Sequence, residues 1–165
     1  MSKCYQNREQ KSVYNLIPFV PNNAIYRRIL EEGLKHCGIV LLVVRNGLNL
    51  DASAYALLEK LEPYQLSKGE ASEWPGTVLF DDSAVVYRFE YVHAVFEIIR
   101  NAADSFYDWK QPGLPEDLCL LRSNEDPWFV TIAHEQDCYF ELTQTEAEIA
   151  QSFIADLGKL ILQST

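Results

Sequence analysis

The chain has 165 residues, of which 48% are apolar and 12% aromatic, enough to build one buried core and too many for a disordered protein. Its formal net charge of −10 repels phosphates and anionic lipid heads, which excludes nucleic acid and membrane surfaces as expected partners. The longest apolar run, GIVLLVV at residues 38–44, falls far short of the roughly 20 residues that a membrane-spanning helix needs.

Residues 1–12 (MSKCYQNREQKS) are polar and without period, which predicts a loose arm; lacking the apolar core of a signal peptide, they point to the cytoplasm. Residues 13–20 (VYNLIPFV) are apolar but hold Pro18, the mark of an edge strand or a packed extended segment. Asn22 or Asn23 then caps a helix over residues 24–35, with Ile25, Ile29, Leu30 and Leu34 on one face. The run at 38–45 predicts a strand central in a sheet, closed by the turn signal Asn46-Gly47. Asp51 caps a second helix over residues 52–61, which stops before Pro63.

Residues 64–75 lose periodicity and read as a loop, in which Trp74 either meets a partner or folds back onto the core. Residues 77–80 and 84–91, separated by Asp81-Asp82-Ser83, read as a hairpin. A long helix follows over 92–109, with Val92, Val95, Ile99, Ala102, Ala103 and Phe106 at helical spacing. Three strands come next, at 117–122, 128–134 and 138–142, joined by the acidic turns SNEDP and EQD. Alternation in the middle strand sends Trp128, Val130, Ile132 and His134 to one face and Phe129, Thr131, Ala133 and Glu135 to the other. Thr143 and Glu146 form a capping box that opens a last helix over 144–162. Together these elements predict one α+β domain, a mainly antiparallel sheet of about six strands with about four helices packed on one face.

Chemistry-bearing residues are few. The four cysteines form no CxxC pair; Cys37, Cys119 and Cys138 read as small buried hydrophobes and Cys4 as an exposed thiol. Neither His36 beside Cys37 nor His134 near Cys138 supplies enough ligands for a metal, and no glycine-rich phosphate loop is present, so neither metal nor cofactor is expected. A thiol hydrolase would have to use Cys119, His134 and Asp117 or Asp137. Cys119 lies inside a strand among carboxylates, which disfavours its thiolate. His134 and Glu135, as neighbours on a strand, point to opposite faces and cannot act on one atom.

Charge is unevenly spread. Residues 101–165 carry 12 acidic side chains against Lys110, Arg122 and Lys159, a balance of −9. Within that part Glu116, Asp117, Glu125, Asp126, Trp128, Glu135, Asp137 and Tyr139 read as a contact surface of carboxylates and aromatics. Aromatic anchors bury area while carboxylates pair with Arg or Lys of a cationic partner. The plain alternative is that the charge serves solubility, and SNEDP lacks the ligand spacing of a calcium loop.

The segments NAADSFYDW at residues 101–109, LPEDLCLLR and WFVTIAHEQDCY resemble parts of small bacterial proteins, some of which are similar to immunity proteins of polymorphic toxin systems. The resemblance implies a role rather than a fold: a small acidic cytoplasmic antidote that plugs the active site of a toxin, often a basic nuclease. It offers no catalytic residue. The expected function is therefore a non-enzymatic acidic binding protein whose partner is a cationic protein such as a cognate toxin. A hydrolase using Cys119 or His134, and an adaptor or structural subunit, are the alternatives.

Overall fold

Short apolar segments separated by turns build one large antiparallel sheet in the computed structural model, which describes residues 9–164. Its strands are β1 (Ser12–Ile17), β2 (Ile39–Arg45) and β3 (Gln65–Ala71), then, after a separate hairpin of β4 (Glu73–Trp74) and β5 (Thr77–Val78), β6 (Ala84–Glu90), β7 (Glu116–Leu121), β8 (Pro127–Ile132), β9 (Asp137–Leu142) and β10 (Lys159–Leu162). The order across the sheet is β10-β1-β9-β8-β7-β2-β6-β3. Helices α1 (Asn23–His36), α2 (Ala52–Leu61), α3 (His93–Ala102) and α4 (Gln144–Ile154) complete the α+β fold. No helix among the described residues is long and apolar enough to cross a membrane.

Local signals start the helices where expected. The Asn22 side chain accepts a hydrogen bond from the Ile25 amide, and Thr143 and Glu146 close a reciprocal capping box at α4. Asp51 occupies the cap position of α2 without a side-chain cap bond. All four helices bury their apolar stripes in one cluster, against Leu16, Val40, Leu42, Phe89, Leu120 and Phe140 from one face of the sheet. Burying each such side chain contributes about 1.5–3 kcal/mol, so this layer dominates stability.

The other sheet face has a core of its own. Ile39, Leu41, Val43, Val86, Cys119 and Val130 are buried there beneath Trp74 of the β4–β5 hairpin. Central strands covered on both faces read as continuous apolar runs, which is why β2 was recognisable. The hairpin stops short of the sheet's other end, so the face over β9, β1 and β10 stays open: Ile17 is 56% and Ile161 49% exposed.

Five expectations need correction. Residues 65–71 form an edge strand, not a loop; both their faces are largely exposed, so they carry no apolar alternation. β5 pairs with β4, while β6 lies between β2 and β3, so residues 77–91 are no hairpin. The long third helix ends at Ala102, and Ser105 caps a separate 3-10 turn at Phe106–Asp108. The last helix ends at Ile154; the Gln151 side chain then holds Gly158 and Leu160 so that the chain returns as β10. In β8 a bulge opposite Leu120 and Leu121 inserts Trp128, so Trp128 and Phe129 both enter the helix-side core instead of alternating. Most of the expected arm at 1–12, with Cys4, lies outside the described residues; of the rest, Ser12 opens β1.

The hairpin is held by its turn. Gly76 follows Pro75 at φ +84, the left-handed position of a type II turn, and a Cβ there would come within 2.9 Å of Ile132 Cγ1. Gly76→Ala should therefore destabilise the protein by about 1–3 kcal/mol in urea unfolding, with the Trp74 environment disturbed. An unchanged unfolding midpoint would mean that the hairpin is not locked against β8.

Candidate functional site

The eight residues of the expected contact surface separate into three groups. Glu116 (3% exposed), Asp117 (0%) and Trp128 (1%) are buried and form no part of any surface. For Trp128 the cause is the bulge; Asp117 lies under the hairpin, whose Trp74 indole donates to it, and Glu116 lies among Asp117, Arg45, Gln111 and His134. Glu125 and Asp126 reach the surface but already have cations: Glu125 pairs with Arg88 Nε at 3.1 Å, and Asp126 takes the Lys11 ammonium. Lys11 holds the Asp126 carboxyl below its ordinary range. Glu135 and Asp137 are exposed, and Tyr139 is half-buried beside them.

Strand register gathers this third group with residues that carried no signal in the sequence. Val13 opposes Glu141, and Asn15 opposes Ile161, so Val13, Ile17, Tyr139, Glu141 and Ile161 share the open face, with Lys159 at its outer edge. Burial raises the Glu141 carboxyl, while Arg122 and Lys11 oppose that rise. At the end of this face a cleft of about 520 Å³ is lined by Ile17, Phe19, Tyr107, Asp137 and Cys138 among others. The Phe19 and Tyr107 rings stand 5.4 Å apart, and the Tyr107 hydroxyl lies 3.7 Å from Cys138 Sγ. Such a cleft offers a carboxylate at its rim and aromatic walls behind it, the setting in which a partner's Lys or Arg is held by charge and by π contact together.

A second cluster lies under the hairpin. Asp117 stands at φ +55 where β7 bulges against β2. Its Oδ2 accepts from Trp74 Nε1 at 2.9 Å and its Oδ1 from the Ala133 amide at 3.0 Å. β8 ends at Ile132, and Ala133–Glu135 forms a 3-10 turn. His134 and Glu135 are therefore not opposed across a strand: their side chains approach to 3.9 Å, a correction that follows from the turn. The same turn brings His134 to Glu116 and Asp117, with donor atoms of the three within 4.8 Å of one another. Burial and the neighbouring Asp117 charge raise the Glu116 carboxyl above its ordinary value, with Arg45, the Gln111 amide and His134 opposing.

Cys119 does not belong to a nucleophilic site. It is fully buried, its thiol donates to the Asp117 carbonyl at 3.3 Å, and burial pushes its pKa up to about 12. Cys37 and Cys138 are buried as well, in keeping with the reading of all three as small apolar residues. Sequence reasoning missed Arg45 and the grouping of Glu116 with His134, because residues 116 and 134 meet only through pairing of β7 with β8 and the turn that follows. No family model matches the chain, and no curated protein or solved structure matches it.

Glu116 and Asp117 should respond oppositely to neutralisation. A carboxyl raised in the folded state binds its proton more tightly there than in the unfolded chain, so stability falls as pH rises above 4.5. Glu116→Gln should flatten that fall in denaturation curves taken across pH. Asp117→Asn should lose about 2–3 kcal/mol, because an amide cannot accept from both Trp74 and Ala133. Equal effects of the two substitutions would refute these separate roles.

Proposed function

We propose that the protein is a non-enzymatic binding protein, an immunity protein or inhibitor that neutralises a basic toxin or nuclease by occupying its active site. The observation that carries this reading is the open half of the sheet. There Ile17 and Ile161 lie exposed on one strand face, and Glu135, Asp137 and Glu141 stand beside them; among the described residues no Lys or Arg lies within ion-pairing distance of these carboxylates, and the His134 imidazole is 3.9 Å from Glu135. Exposed apolar side chains rimmed by charge are a common make-up of a protein interface. Carboxylates at such a rim select and steer a cationic partner, and in a nuclease they would take the places of substrate phosphates. The resemblance of NAADSFYDW, LPEDLCLLR and WFVTIAHEQDCY to parts of small bacterial proteins, some of which are similar to immunity proteins, agrees with this role.

The contact surface proposed here is narrower than the acidic character of the chain implies. It uses Glu135, Asp137 and Tyr139 and leaves out the buried Glu116, Asp117 and Trp128. Glu125 and Asp126 would have to give up Arg88 and Lys11 before they could pair with a partner.

Immobilised protein should retain a basic protein from the cells that make it at low salt and release it at high salt. A variant carrying Ile17→Asp and Asp137→Lys should lower that retention by at least about tenfold. Co-production of the wild type, and not of this variant, should relieve the partner's toxicity. Retention that ignores salt, or that survives both substitutions, would overturn the assignment.

A further inference from the structure

We propose that Glu116, Asp117 and His134 form a site for one divalent transition-metal ion, zinc, manganese or ferrous iron in type. Each residue offers a ligand atom, and the three lie within 4.8 Å of one another. Donors bound about 2.0–2.2 Å from one ion stand roughly 3–4 Å apart, so closing the site asks for about 1–2 Å of movement by a side chain. His134 can supply it: it sits on a surface turn with its side chain 40% exposed, and so also provides the way in.

Glu116 gives the independent observation. It is 3% exposed, and its Oε2 has no hydrogen-bond partner although it is cut off from water. An orphaned carboxylate oxygen in that position costs several kcal/mol unless a proton or a cation meets it. Asp117, fully buried, is already fixed: the Trp74 indole and the Ala133 amide each take one lone pair, and each oxygen keeps another for an ion. Such outer hydrogen bonds orient a ligating carboxylate and are the normal surroundings of a bound metal.

The donor set decides the class of ion. Two carboxylates and an imidazole suit borderline divalent metals. Calcium wants six to eight oxygens, which this pocket lacks. Three protein ligands leave a fourth position for water. This site borders the open face at the Ala133–Glu135 turn but uses none of the contact residues proposed above, so it stands or falls independently of that binding function.

The test is titration of the whole, chelator-treated protein with cobalt(II), read by visible absorption, and with zinc, read by calorimetry and thermal unfolding. One ion per chain should bind, raise the unfolding temperature and give cobalt bands without sulfur-to-metal charge transfer. His134→Ala should weaken binding by at least about tenfold, and Glu116→Gln should abolish it, while His36→Ala changes nothing. Glu116→Gln keeps the shape of the side chain and His134 lies at the surface, so both variants should retain the wild-type fold in the absence of metal. No saturable binding, a thiolate band, or binding undisturbed in both variants would overturn the proposal and leave a proton on Glu116 as the occupant.

Discussion

Asp117 ties together three separate parts of the chain. Its carboxylate receives the Trp74 indole from the hairpin and the Ala133 amide from the turn after β8, and its own amide donates to the Trp109 carbonyl. A fully buried carboxylate is tolerated only where donors replace its hydration, and here two do. In return the charge enforces specificity. Without it Trp74 and Ala133 would both be left with unpaired donors, the hairpin would lose its anchor, and the second core under it would meet water.

The covering hairpin also defines the open surface by where it ends. Over β6, β2, β7 and β8 the far face of the sheet is dry; over β9, β1 and β10 the same alternation leaves Ile17, Ile161 and the carboxylates in solvent. A sheet with one end covered on both sides and the other bare on one side asks what meets the bare part. Charge reinforces the division. Lys11 with Asp126, Arg28 with Asp156 and Arg88 with Glu125 join the balanced first part of the chain to the acidic last part. Exposed pairs of this kind add little stability. Their effect is to cancel much of the local field and to leave Glu135, Asp137 and Glu141 as the concentrated acidic edge.

Arg122 shows how much the fold invests in holding that edge in place. From the end of β7 it donates to the Pro127 and Glu141 carbonyls and forms a two-point pair with Glu146 at 2.7 and 3.3 Å. One half-buried guanidinium thus clamps β8, β9 and the first turn of α4, as planar bidentate geometry allows. The capping box that opens α4 uses the same Glu146, so helix start and sheet edge are set by one carboxylate.

By itself the sequence determined the α+β class, the central place of β2, the caps of α1 and α4, and the burial of Cys37, Cys119 and Cys138. Those outcomes depend on local periodicity, on cap chemistry and on apolar run length, all of which are written within a dozen residues. Only the tertiary structure decided which carboxylates face water, because Asp117 and Asp126 are the same side chain until the hairpin covers one and not the other. It alone decided that Trp128 turns inward at a bulge, that residues 65–71 pair as an exposed edge strand, and that residues 159–162 leave the helical pattern to pair with β1. These follow from pairing partners far away in the chain, and no local pattern encodes a register. The grouping of Glu116, Asp117 and His134 is of the same kind: three residues that look unrelated in order are brought to one point by a strand pair and a single turn.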